Sequence, residues 1–169
     1  MRKWLYIATT LLCCIGASCT ISYKFNGTVI DYSIVKSIAI EDFTNHAAMV
    51  YAPLTNVLNE KIKDTYTKQT RLSLVSRNGD LELSGEVTGY DITPMAVSAN
   101  SLAAETRLTL RVNVRYTNNT NHDEDFERGY TAYRNFDSNY LLTDVQDQLI
   151  EELVNEICDN IYNDTVANW

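Results

Sequence analysis

A net charge of −8 on 169 residues argues against a nucleic-acid binder, whose affinity rests on neutralising phosphates with Lys and Arg. It also disfavours broad electrostatic docking on anionic lipid heads. The length suits one compact domain, and 45% hydrophobic residues with eleven tyrosines can fill its core.

The chain opens with a secretory signal. Arg2 and Lys3 precede an apolar run over residues 4–15, then Gly16, Ala17, Ser18 and Cys19. The run is too short for a comfortable transmembrane helix. A cysteine at the first mature position accepts a diacylglycerol and, after cleavage, an N-terminal acyl chain, and several chains together anchor stably. Residues 1–18 therefore read as a lipoprotein signal and Cys19 as the lipidation site. The alternative is ordinary secretion with Cys19 a bystander. Loss of Arg2 and Lys3 takes the net charge from −8 to −10, and Cys158 is left as the one other mature cysteine, so no intrachain disulfide is expected.

Residues 19–33 read as a polar tether, and 34–169 as a single domain. A largely buried strand is expected over 34–43. Pro53 sits where a helix tolerates proline, and Leu54, Val57, Leu58, Ile62 and Tyr66 recur at helical spacing over 52–67. Residues 70–77 alternate as a strand, and Asn78-Gly79 carries a tight-turn signal. The next strand, 80–92, places Leu81, Leu83 and Val87 opposite Glu82, Ser84, Glu86 and Thr88, with Gly85 and Gly89 signalling a bulge or bend. A small-residue loop spans 94–103. Over 106–117 the alternation is cleanest, with Leu108, Leu110, Val112, Val114 and Tyr116 against Arg107, Thr109, Arg111, Asn113 and Arg115. A last strand follows over 125–135. Thr143 and Gln146 read as a capping box that opens a final helix reaching about residue 164, apolar along Val145, Leu149, Leu153, Ile157 and Ile161. The fold class is α+β: a largely antiparallel sheet of four to five strands, with two helices packed on one face and the other face polar.

No catalytic arrangement stands out. His46 and His122 fall in loop-like segments without a nucleophile elbow, and the acidic turn after His122 reads as solvated rather than metal-binding. Neither catalysis, a cofactor nor a metal is expected. Arg107, Arg111 and Arg115 share one strand face, roughly 13 Å apart at ~3.3 Å per residue. Guanidinium groups suit bidentate recognition of phosphate or carboxylate. The row reads either as a contact surface for an anionic amphiphile or as cross-strand partners of Glu82, Glu86 and Glu127. Asp144, Asp147, Glu151, Glu152, Glu156 and Asp159 line the last helix, and no Lys or Arg follows Arg134. Such a run is a solvated face or a partner surface. Tyr23, Tyr51, Tyr90, Tyr116, Tyr130, Tyr133 and Tyr140 read mainly as half-buried sheet residues, and Cys158 as a small core hydrophobe.

The mature start CTISYKFNG, the strand GDLELSGEVTGYDITP, the segment AYRNFD and the helix LTDVQDQLIEEL together resemble the LptE family, the lipopolysaccharide-assembly lipoproteins. The resemblance covers essentially the whole mature chain. It implies a non-enzymatic protein anchored through acylated Cys19 in the outer membrane. It further implies a plug inside an LptD-type β-barrel that helps the barrel assemble and contacts the lipid A and core of lipopolysaccharide. Residues Thr20, Ile21 and Ser22 carry no acidic cluster, which favours the periplasmic side. On face and charge, Arg107, Arg111 and Arg115 with Lys36 (and Lys24 as a possible addition) are the expected lipopolysaccharide contacts. The competing reading is a lipid-anchored ligand-binding or adhesion module of the cell envelope. A hydrolase would need His46 or His122 beside a nucleophile in a pocket.

Overall fold

The computed structural model describes residues 30–95 and 104–166; the signal segment, Cys19, Lys24, most of the tether and loop residues 96–103 lie outside them. In chain order the elements are β1 (Ser37–Ile40), β2 (Thr44–Asn45), α1 (Pro53–Gln69), β3 (Ser73–Val75), β4 (Leu81–Pro94), β5 (Glu105–Asn118), a 3-10 turn (His122–Glu124), β6 (Phe126–Asp137) and α2 (Leu142–Thr165). The sheet order is β3-β1-β4-β5-β6, with β2 also on β4. Its three long strands are antiparallel, as the alternation predicts. The short ones are parallel: β1 pairs both β3 and β4, and β2 pairs β4. The sheet is therefore mixed. A parallel β1–β3 pair needs a long crossover, which α1 supplies.

Parallel pairing gives Asn78-Gly79 a different task from the hairpin turn its sequence suggests. β3 and β4 lie on opposite sides of β1, so residues 76–80 must cross over β1. A Cβ on Gly79 would come within 2.5 Å of the Ala39 nitrogen and 2.6 Å of the Leu81 carbonyl oxygen, so only glycine lets the two backbones approach this closely. Asn78 takes the positive φ (53°) that turns the chain into this crossing. Asp80 then fastens it: its carboxylate accepts the Lys36 and Ser37 N–H groups and the Ser37 hydroxyl at 2.8–2.9 Å. These bonds, the Lys36 N–H first, hold the Asp80 carboxyl below its ordinary range.

The glycines of β4 mark the bend expected of them. Register shifts between Val87 and Gly89, leaving Thr88 as the extra residue of a bulge. Before it the odd-numbered residues face inward, and after it Tyr90 does, 1% exposed. The core lies between this inner face and the two helices. Leu108, Leu110, Val112 and Val114 from β5 meet Leu54, Leu58 and Ile62 from α1 and Leu153, Ile157 and Ile161 from α2.

The helices run side by side in the same direction. Tyr51, just before α1, donates to Asp147 in the early turns of α2. At the far end the Tyr66 hydroxyl lies 2.5 Å from that of Thr165; because Thr165 donates to the Ile161 carbonyl oxygen, Tyr66 is the donor. The expected capping box does not form. Leu141 occupies the cap without a side-chain bond, and Gln146 donates instead to the Tyr90 hydroxyl at 2.7 Å. A buried phenol needs a partner, and it recruits that side chain. From β6, Arg134 grips Glu152 (3.0 Å) and Glu156 (2.6 Å), while Arg128 and Tyr130 both reach Asp164. Tyr90, Tyr116 and Tyr130 are core residues rather than half-buried ones, whereas Tyr133 and Tyr140 are exposed. No described helix is long and apolar enough to cross a membrane.

Candidate functional site

Because Leu108, Leu110, Val112 and Val114 turn to the helices, Arg107, Arg111 and Arg115 stand together on the outer face of the sheet. Their surroundings differ along the strand. Arg115 meets Glu127 of β6 at 3.0 Å, with the guanidinium 67% and the carboxylate 49% exposed. Glu127 also accepts from Asn113 at 2.8 Å, and these two partners, Asn113 first, hold its carboxyl below the ordinary range. Arg111 pairs with Asp91 of β4. Its guanidinium lies over Gly89, where a Cβ would sit 2.6 Å from Nε. Arg107 has no carboxylate within ion-pair distance among the described residues. It donates to the Asn135 side-chain oxygen at 3.0 Å and stacks 4.2 Å from the centroid of the exposed Tyr133 ring.

Of the three glutamates expected to face the row, Glu127 alone pairs with it. Glu86 lies 3.6 Å from His46. Glu82 lines a cleft of about 480 Å³ beneath the crossover, together with Glu41, Arg77 and Arg115. Asp91, the acid that does pair with Arg111, was hidden in the sequence. Simple alternation places it beside Val87 on the core side, and the bulge at Thr88 transfers it to the outer face. Arg77 was hidden for a topological reason: the crossover carries it from beyond β1 into the cleft that Arg115 shares.

Lys36 is not part of the row. It is exposed ahead of β1, and the parallel register sets it level with Gly79, whereas Arg115 is level with Ser84. Five residues at ~3.3 Å each separate them by roughly 16 Å along the strands, with β4 between.

Exposed pairs of this type contribute only about 0.2–1 kcal/mol each. A phosphate arriving at Arg111 or Arg115 therefore displaces a weak partner, and each guanidinium keeps further donors for a bidentate contact. Stacked Arg107 and Tyr133 add a flat amphipathic platform of the kind a sugar ring covers. The histidines offer no nucleophile relay. Thr44 Oγ1 (3.1 Å) and Glu86 (3.6 Å) both meet Nε2 of His46, whereas a relay uses opposite ring nitrogens. His122 lies 3.0 Å from Asp125 inside the exposed 3-10 turn.

A family model described as LptE, lipopolysaccharide-assembly, matches residues 35–165. Comparison with curated proteins gives no match. Among solved structures, a hypothetical protein from Chlamydia trachomatis is similar with a TM-score of 0.53 and 11% identity, over 79% of this chain and 99% of that one. A protein from Xanthomonas campestris has a TM-score of 0.53 and 12% identity, over 76% of this chain and 82% of that one. At such identities these two likenesses are of fold alone. A minor lipoprotein from Acinetobacter baumannii has a TM-score of 0.47 and 18% identity, over 76% of this chain and 90% of that one.

Proposed function

The chain belongs to the LptE lipopolysaccharide-assembly family, a non-enzymatic family of cell-envelope lipoproteins, and from that premise we propose its role. It is an outer-membrane lipoprotein, cleaved after residue 18, acylated on Cys19 and held on the periplasmic side. Its folded domain plugs an LptD-type β-barrel, helps that barrel assemble, and offers its outer sheet face to lipopolysaccharide in transit.

The observation that carries this reading is the division of the sheet into two unlike faces. One is sealed by α1 and α2; the other presents Arg107, Arg111 and Arg115 beside an exposed tyrosine. Barrel lumens of this class are polar, which suits a plug with a hydrogen-bonding face. Lipid A phosphates match the guanidinium row, and core sugars match the Arg107–Tyr133 platform. The net charge of −10 does not oppose this, because much of it lies on α2, across the sheet from the arginines.

Affinity purification of the C-terminally tagged protein from detergent-solubilised outer membranes, followed by mass spectrometry, tests the reading. The expected result is a stoichiometric β-barrel of the lipopolysaccharide-export type. Cys19→Ala is expected to leave a folded, soluble domain that recovers less of that barrel. Recovery of the lipoprotein alone, or with polysaccharide-uptake proteins, would favour the ligand-binding or adhesion module instead.

A further inference from the structure

The side of α1 and α2 that faces away from the sheet carries a second surface, built without the arginine row. Between the helices runs a groove of about 710 Å³. Ile150 and Val154 form its sealed base, and Pro53 and Val57 reach its surface. Its banks are acidic: Glu60 and Asp64 on α1, Asp147 and Glu151 on α2, against a single Lys61. Asp64 is paired with Lys68 and Asp147 is bonded to Tyr51. Glu60 and Glu151 have no cation within ion-pair distance among the described residues. An apolar seam flanked by uncompensated carboxylates is complementary to a chain that is apolar on one stripe and basic on both sides of it.

Spacing narrows the choice of partner. On each bank the carboxylates are four residues apart, which is about 6 Å at ~1.5 Å per residue. A helix laid along the seam repeats its own side chains at the same interval, so its basic residues fall into step with both banks. From Pro53 to Asp64 the seam extends roughly 17 Å, the length of a three-turn helix. Long Lys and Arg stems can lie over Val57 and Pro53 while their heads reach the banks.

We propose that this groove docks a short, cationic, amphipathic helix of a protein partner, in the helix-in-groove manner. The inference goes beyond the glycolipid face and does not depend on it.

The test uses the mature chain carrying Cys19→Ala, which lacks only the acyl groups, and three synthetic helical peptides read by fluorescence anisotropy. One has a leucine stripe flanked by lysines, one replaces the leucines with serine, and one replaces the lysines with glutamate. The lysine–leucine peptide is expected to bind tightest. Glu60→Gln with Glu151→Gln should weaken it about tenfold, as loss of two exposed pairs implies. Arg111→Gln, on the opposite face, should leave it within about twofold. The reciprocal variant, Glu60→Lys with Glu151→Lys, should transfer preference to the glutamate peptide, which guards against simple misfolding of the first pair. Equal binding of the serine peptide would show that the banks merely gather cations. That result, or indifference to both charge variants, would overturn the proposal.

Discussion

Gly79→Ala is expected to lower the melting temperature of the mature domain by roughly 6–12 °C. All three atoms nearest the added methyl belong to backbone, on β1 and on the start of β4, so no side chain can turn aside to make room. The crossing of residues 76–80 over β1 must lift, and lifting it strains the bonds that Asp80 makes to Lys36 and Ser37. Overpacking of this type costs about 3 kcal/mol, and each kcal/mol shifts the melting of a domain this size by roughly 2–4 °C. Gly129→Ala is the control. It lies in β6, where an added Cβ meets nothing within 4 Å, and it should melt within about 2 °C of the parent. Circular dichroism melts of the three proteins decide the matter. If Gly79→Ala melts like Gly129→Ala, the crossover has slack that its geometry denies.

Raising the pH should unfold the domain well before its peptide chemistry suffers. Burial pushes the hydroxyls of Tyr66, Tyr90, Tyr116 and Tyr130 above the ordinary tyrosine value, and it pushes the Cys158 thiol up to about 12. Each of these groups is neutral in the fold and ionises more readily in the unfolded chain. Their contribution is therefore complete below the unfolded values, 9.0 for the thiol and 10.0 for the phenols, and is lost as pH rises beyond them. Each such group costs about 1.4 kcal/mol per pH unit once its unfolded form ionises. For Tyr66, Tyr116 and Cys158 together, about 5 kcal/mol is gone by roughly pH 11, comparable with the whole stability of a small domain. Urea midpoints measured across this range, with phenolate absorbance followed in parallel, give the test. A flat midpoint, or buried tyrosines that ionise at ordinary pH in the folded protein, would contradict it. Cys158→Ala should delay the onset by about one pH unit, because the thiol is the first of the set to ionise in the unfolded chain.

What the sequence made readable was periodicity. Strict alternation in β5 announced both the apolar face that the helices cover and the arginines on the other. The 3.6-residue rhythm gave α1 and α2 to within a few residues. Features that depend on partners far along the chain were not readable. Nothing local to Asn78-Gly79 tells a hairpin from a crossover; that is settled by β1, forty residues earlier, taking the seat between β3 and β4. Glycines in β4 signalled a bend, but not that Thr88 would be the residue skipped. Hence Asp91, which plain alternation would turn toward the core, does not stand out in the sequence as the partner of Arg111. Thr143 and Gln146 had the spacing of a capping box, yet the buried hydroxyl of Tyr90 claimed the glutamine. In each case a local preference worth about 1 kcal/mol gave way to a tertiary demand worth more.

One property of α2 bears on how the chain reaches this state. Its 24 residues contain no Lys or Arg, and like charges stand four apart at Asp147–Glu151 and Glu152–Glu156. Alone in water such a segment repels itself and leaves its C-terminal pole uncompensated. The missing cations, Arg128 and Arg134, arrive from β6. The last helix of the chain is thus a conditional one, ordered by a strand that must already be in place. Its helical signal and the closure of the sheet should vanish together in a single transition, so the circular dichroism of α2 serves as a built-in reporter of whether the sheet is intact.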